Sequence, residues 1–335
     1  MSDATAKRKP TIRQIAALSG VSRSTVSRVI NGGHWVSPDA RKAVEDAIAA
    51  SGYTANHHAR SLATGRAGSL AFLLTEPHQL LFDDPTFALL LRGAAAVLAQ
   101  RSMTLVLLVA STPAERESVT HFLSAGHVDG VMLISSHEAD PLLTQLIDAG
   151  IPTVSCGIPL GHEGEVSTIS VDEIVSARSI AAYLRDQGHE RIGMITGPDD
   201  TPGGRYRLIG FREALGSSFD PSLVEVGDYS FESGQAAMTR MLGHDVDAVF
   251  AANDRMAAGA IAAVRRAGLR VPDDIAVAGF DDSGLAATHE PPITTMRQPW
   301  EQISAQMVEV LLEVIAGAAP RSVILDTELV VRDSA

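Results

Sequence analysis

Apolar residues along this chain follow two different rhythms. Near the start they recur every three or four positions: Ile12, Ile15, Ala16 and Leu18, then Val26, Val29 and Ile30, then Val44, Ala47 and Ile48. That spacing predicts three short amphipathic helices. Gly20 breaks the first from the second, and Ser22 is placed to cap the second. Asn31-Gly32-Gly33 ends it, and Ser37-Pro38 opens the third with a serine cap and a first-turn proline. From Ser69 the rhythm changes. SLAFLL, TLVLLV, GVMLI, PTVSC, STISV, RIGMIT, LVEVG, AVFAAN and DIAVAGF are short apolar runs, separated by helical stretches such as FALLLRGAAAVLAQ and DRMAAGAIAAVRRAG. Alternating strand and helix means parallel sheets covered by helices. Nine such strands exceed one comfortable sheet, which predicts an α/β body of two lobes with a cleft between them.

Composition supports this and adds an asymmetry. A chain of 335 residues fits two or three domains. No apolar run is long enough to span a bilayer, so no membrane partner is expected. The basic cluster in MSDATAKRKPTIRQ is followed by no apolar stretch, unlike a secretory leader. The single cysteine, Cys156, excludes an internal disulfide, and there is no CxxC pair for zinc. A reducing cytoplasm is the expected location, with no metal and no cofactor. The net charge of −13 argues against a nucleic-acid partner until it is divided along the chain. Residues 1–66 carry ten basic and four acidic groups, or +6; the remaining 269 carry 17 basic and 36 acidic, or −19. A small basic head on an acidic body fits either a solvated basic surface or a footprint for phosphates.

Two helices joined by a tight glycine turn make a helix-turn-helix. In that motif the N-terminal part of the second helix meets base edges. Arg23 and Ser24 are therefore the candidates for base reading, with Arg28 next. Thr25 and Ser27 are candidates for phosphate anchoring, and Ser22 and Asn31 complete the set. The pattern alone fits equally well a small three-helix domain that binds no nucleic acid.

TIRQIAALSGVSRSTVSRVINGG, followed by VSPDARKAVEDAIAASGYTANHHARSLATGR, resembles the DNA-binding head of the LacI/GalR family of bacterial repressors. The resemblance is dense over residues 11–66 and continues more loosely to the C-terminus. It implies a dimer reading a pseudo-palindromic double-stranded operator. It divides the chain into a head over 1–54, a hinge over 55–66 and a periplasmic-binding-protein-like effector body over 67–335. Within that body, lobe one takes about 67–160 and 294–322, and lobe two about 161–293 and 323–335. On its own, the 55–66 stretch reads equally as a plain linker. The resemblance implies instead that it folds on DNA, with Leu62 wedged into the minor groove and Asn56 near the hinge entry. Where the family has proline before that asparagine, this chain has Ala55.

Ligands of open parallel sheets sit beyond the carboxyl ends of the strands. The residues just past the apolar runs include Glu76, Phe87, Arg207, Tyr229, Asn253, Asp281, Gln298 and Trp300. Carboxylates and amides that grip vicinal hydroxyls, with aromatic faces for the C–H side of a ring, suit a sugar. The resemblance implies effector contact for Arg207, Asn253, Asp281 and Trp300, with Tyr229 as an aromatic platform. Two departures stand out: SCGIP lacks the acidic residue and arginine usual there, and HQLLFDDP is longer than the common form.

No GxSxG, GxxxxGK, GxGxxG or HExxH motif occurs, so no enzyme is expected. A transport-type sugar-binding protein would need an export signal and no basic head. The expected function is a sequence-specific DNA-binding repressor controlled by a small effector, a sugar by preference. The alternatives are a constitutive DNA binder, or a co-repressor-dependent regulator of a nucleobase or sugar phosphate.

Overall fold

The computed structural model describes residues 10–30, 35–53, 66–138 and 140–335. They form two compact units, divided between Ala67 and Gly68. In the first unit, α1 (Ile12–Ser19), α2 (Arg23–Ile30) and α3 (Pro38–Ser51) enclose a small core of Ile15, Val26, Val29, Val44 and Ala47. The local signals act as expected. Gly20 ends α1 at φ +69°, a left-handed conformation that costs glycine little. Ser22 Oγ accepts from the Thr25 amide at 3.1 Å and so starts α2. Ser37 caps α3.

The second unit contains two six-stranded sheets. Its elements run β1 (Ser69–Leu74), α4 (His78–Asp83), α5 (Pro85–Gln100), β2 (Thr104–Val109), α6 (Pro113–Ser124), β3 (Gly130–Leu133), α7 (Pro141–Asp148), β4 (Thr153–Cys156) and β5 (Ser167–Val171). Then follow α8 (Glu173–Asp186), β6 (Ile192–Thr196), α9 (Pro202–Leu215), β7 (Val224–Val226), α10 (Phe231–Met241), β8 (Ala248–Ala251), α11 (Asp254–Arg266) and β9 (Ala276–Asp281). The chain ends with α12 (Leu285–Thr288), β10 (Thr294–Arg297), α13 (Trp300–Ile315), β11 (Ser322–Leu325) and β12 (Glu328–Val330). The first sheet has the order β11-β5-β4-β3-β1-β2, the second β12-β10-β9-β8-β6-β7. All pairs are parallel except β10 with β12.

The lobe boundaries expected from sequence need three corrections. β5 belongs to the first sheet, because it lies between β4 and β11 in parallel register. β10 belongs to the second, beside β9. The boundary at 322–323 falls inside β11, which pairs in the first sheet, while β12 pairs in the second. The chain therefore passes between sheets at three places, around Asp172, around Gln298-Pro299 and around Asp326-Thr327. Sequence periodicity marks strands but not their neighbours, and this is why it could not assign them.

Central strands explain the continuous apolar runs. All six residues of β1 are buried, as are those of β9. α5 lies against α13 at Gly93. A Cβ there would stand 2.5 Å from the Glu301 carbonyl, so only glycine permits the approach. Both lobes thus present the carboxyl ends of their strands to a shared cleft.

Candidate functional site

The cleft is lined by strand ends of both lobes and by residues at two of the crossings, Glu173 and Gln298. All eight expected effector residues line one pocket: Glu76, Phe87, Arg207 and Tyr229 with Asn253, Asp281, Gln298 and Trp300.

The wall from the second lobe is a network of polar groups already hydrogen-bonded to one another. Arg207 projects from α9 and is 6% exposed. Its Nε donates to Glu173 Oε2 at 2.6 Å, its Nη2 to Glu173 Oε1 at 3.2 Å, and its Nη1 to the Ala252 carbonyl. The guanidinium also lies 3.7 Å from the centroid of the Phe280 ring, a cation–π contact. Asp281 Oδ1 stands 3.8 Å from Nη1 and accepts from Gln298 Nε2 at 2.8 Å. Two carboxylates therefore share one buried guanidinium. Burial alone would lower the pKa of Arg207, but Glu173 and Asp281 more than reverse it. Asp281 is the surplus acid: burial pushes its pKa well above the usual range, against the pull of Arg207.

Backbone strain marks the same wall. Tyr229 has φ +66° and Asp281 φ +108°, both left-handed and unusual for side-chain-bearing residues. The Tyr229 ring rests on Gly197, where a Cβ would come within 2.2 Å of the phenol. Its hydroxyl lies 3.0 Å from Thr201 Oγ1, and burial raises its pKa to about 12. Asn253 caps α11 by accepting from the Met256 amide at 2.8 Å and donates to the Tyr229 carbonyl at 3.1 Å. That leaves one amide N–H for a ligand. Trp300 is anchored through its indole N–H to the Asp281 carbonyl at 3.0 Å, while its ring lines the pocket. Asp254 and Asp282 serve the framework. Asp254 accepts from Thr295 Oγ1 and the Asp282 amide, and Asp282 pairs with Arg297 and Arg332.

The wall from the first lobe is mostly apolar: Leu80, Phe87, Leu90, Ile134, Ile169 and Ile303. Three hydroxyls on it, Thr86 Oγ1, Ser136 Oγ and Ser170 Oγ, are buried and have no hydrogen-bond partner among the described residues. Buried polar atoms left this way are costly unless something binds them. The SCGIP segment contributes Cys156 and Gly157, and burial raises the thiol pKa to about 12.

Near the pocket the lobes hold each other through charge. His137 contacts Asp200 through Nδ1 at 2.9 Å and Glu76 through Nε2 at 3.1 Å. The hydrogen bond to Glu76 is the main cause that raises its pKa to about 9. Burial works to raise the Glu76 pKa, yet His137 and Ser135 hold it below the ordinary value. Glu138 pairs with Arg205 at 2.6 Å.

Sequence reasoning missed Glu173, Thr201, Ser170 and His137. The signal for Glu173 was present, since Asp172-Glu173 directly follows STISV and the strand-end rule applies there as elsewhere. Ser170 lies within the STISV run, and no pattern in the sequence singled out Thr201. His137 had no sequence partner within reach, because Asp200 is 63 positions away.

In the head, Ser22, Arg23, Ser24 and Arg28 are exposed, and Thr25 and Ser27 are half-buried. Ser22 Oγ also lies 2.7 Å from Ser24 Oγ and 2.9 Å from Thr25 Oγ1, a cluster that organises the first turn of α2. Asn31, Asn56 and Leu62 lie outside the described residues. Among the described residues there is no His/Cys/Asp/Glu group suited to a metal, and no helix long and apolar enough to cross a membrane.

Residues 11–56 match the model for bacterial regulatory proteins of the lacI family, and residues 181–335 match a periplasmic binding protein-like domain. The chain is 43% identical over 336 residues to the HTH-type transcriptional regulator CelR of Thermobifida fusca, covering 98% of this chain and 99% of that one. A solved complex of the transcriptional regulator CelR with cellobiose superposes with a TM-score of 0.78 at 41% identity, covering 98% of this chain and 100% of that chain. A lac repressor dimer bound to operator and the anti-inducer ONPF superposes at 0.85 with 27% identity, covering 98% and 99%.

Proposed function

The chain belongs to the lacI family of bacterial regulatory proteins, and on that premise we propose a dimeric, cytoplasmic transcriptional repressor released from or fixed to its operator by a neutral sugar. One observation carries the sugar reading. The polar groups of one cleft wall face apolar surface and three unpartnered hydroxyls on the other, with Trp300 and Phe87 among the lining. A pyranose has both kinds of surface, hydroxyls at its rim and C–H groups on its faces. The cellobiose complex of the CelR relative supports the same class of ligand. The alternative of a sugar phosphate is disfavoured, because the pocket's arginine is already engaged by Glu173 and Asp281.

Arg23 and Ser24 would read base edges from the exposed start of α2, with Arg28 next to them and Ser22, Thr25, Ser27 and Asn31 positioning the helix. Leu62 and Asn56 would act from the hinge. The outward face of α5, with Ala88, Arg92, Ala95, Ala96 and Ala99 exposed, is our candidate for part of the dimer contact. An effector that binds across the cleft fixes the angle between lobes, and DNA affinity follows by reciprocal coupling. The reading assigns no catalytic step.

The test is fluorescence anisotropy of the full-length protein on DNA from upstream of its own gene, against random DNA, at several salt concentrations, with cellobiose and glucose added. Selective binding shifted by a sugar is expected. Selective binding that no sugar shifts would remove the sugar and leave the DNA-binding regulator.

A further inference from the structure

Asp281 reaches the pocket from a strained turn. It and Asp282 both have left-handed backbones, φ +108° and +49°. Two such residues in succession persist only where their surroundings over-determine them. On the pocket side, the Asp281 carbonyl accepts from the Trp300 indole at 3.0 Å and the carboxylate from Gln298 Nε2 at 2.8 Å. The other anchors lie behind, on side chains that do not line the pocket. Asp254, buried at the start of α11, accepts the Asp282 amide on Oδ2 at 2.8 Å and the Thr295 hydroxyl on Oδ1 at 2.6 Å. A Cβ at Gly279 would come 2.3 Å from Asp254 Oδ1, so the glycine of VAGFDD makes room for that carboxylate. Arg297 Nε and Arg332 Nη2 both donate to the Asp282 carboxylate at 2.8 Å. Arg332 is itself fixed: its Nη1 donates to the Ile293 carbonyl at 2.8 Å and its backbone amide to Thr294 Oγ1 at 2.9 Å. Ser334, fully buried, accepts from the Thr294 amide and donates to the Val277 carbonyl, which ties this segment to β9 and β10.

We propose that Asp254 and Arg332 are positioning residues for the effector: acting through Asp282, they hold the Asp281 carboxylate in the orientation that meets a ligand hydroxyl. The proposal rests on the effector reading of the cleft and adds to it two residues that touch no ligand. Strain is the physical reason. Without the clamp, the turn at Asp281-Asp282 relaxes toward ordinary backbone and the carboxylate moves with it. A binding group misplaced by about 1 Å loses its hydrogen-bond geometry while the fold around it survives. Trp300 follows the same movement, because its indole is bonded to the Asp281 carbonyl.

The test uses the full-length protein in a Trp35→Phe background, which leaves Trp300 as the single tryptophan. Cellobiose affinity is measured by titration calorimetry, the Trp300 signal by near-ultraviolet circular dichroism without ligand, and stability by melting. Asp254→Ala should weaken cellobiose by about tenfold, the scale set by partners that orient a binding carboxylate from behind, and should change the Trp300 signal. Asp254→Asn should restore most of both, because its amide can accept from the Asp282 N–H and donate to Thr295 Oγ1. Arg332→Met should act in the same direction but less, since Arg297 remains, and it decides the matter if Asp254→Ala fails to fold. A lower melting midpoint with affinity and Trp300 signal unchanged makes these residues structural and overturns the proposal. So does an Asp254→Asn variant as impaired in binding as Asp254→Ala. If the parent protein does not bind cellobiose, the sugar reading fails, and the Trp300 signal of the ligand-free variants decides the clamp separately.

Discussion

The two walls of the cleft are made from the same kind of fold and are chemically opposite. The second lobe presents a buried arginine, two carboxylates and two amides, each already hydrogen-bonded within the protein. The first lobe presents mostly aliphatic and aromatic surface, with Glu76 and Asp84 and with three hydroxyls that have no protein partner among the described residues. The hydrogen-bonded wall is pre-organised: its groups are held in place before a ligand arrives, so little ordering cost falls on binding. The hydroxyls of the other wall gain their partners only when the cleft is filled. Closure onto a ligand is therefore favoured by the wall that lacks partners, and orientation is dictated by the wall that has them.

Breaking the hydrogen-bonded wall should have the largest effect. Arg207→Ala leaves Glu173 and Asp281 buried without their cation, and such a loss costs about 3–5 kcal/mol. A large drop in the denaturation midpoint is expected; a variant as stable as the parent would mean the three charges are not coupled. Asp281→Ala removes the surplus acid instead. It should abolish the effector response while leaving operator binding intact, and a normal dose response in the anisotropy assay would remove Asp281 from the site. In the head, Arg23→Ala should relax preference at one base position by about 1–3 kcal/mol if its contact is bidentate. Unchanged preference in a binding-site selection would sink that role.

The contacts between lobes offer a gentler probe. His137 has its pKa raised to about 9 by Glu76, then Asp200. The ion pairs need the protonated ring. Their contribution is complete below the ordinary histidine pKa of about 6.5 and is lost as pH rises through about 9. Sugar affinity measured from pH 6 to 10 should fall across that window, and His137→Gln should flatten the profile. The smallest change in stability is expected for Ser170→Ala, because its hydroxyl has no partner to lose. It should melt like the parent and still bind sugar more weakly. A melting loss without a binding loss would show that the first-lobe wall is merely packing.

The same contrast explains what could be read in advance. Arg207, Asn253, Asp281 and Tyr229 follow strands, and the strand-end rule reached them. Glu173 follows a strand too, but its VDE context looks like an ordinary helix start. The unpaired hydroxyls of Thr86, Ser136 and Ser170 are invisible in sequence, where serine and threonine carry no sign of whether a partner is near. β2 illustrates the limit from the other side. TLVLLV is as apolar as SLAFLL, yet it forms the edge of its sheet and Leu107 remains 43% exposed.

The sequence by itself determined the three-helix head, the alternation of strand and helix, the charge division and most of the residues at the cleft. Those depend on local periodicity, capping and the fixed geometry of a strand end, all of which act over a few positions. Only the tertiary structure decided which strands share a sheet, where the chain crosses between lobes, and which polar atoms find partners. Arg207 meets Glu173 across 34 positions, and His137 meets Asp200 across 63. Sheet order and the pairing of buried charges are settled by contacts between distant segments, and no local pattern records them.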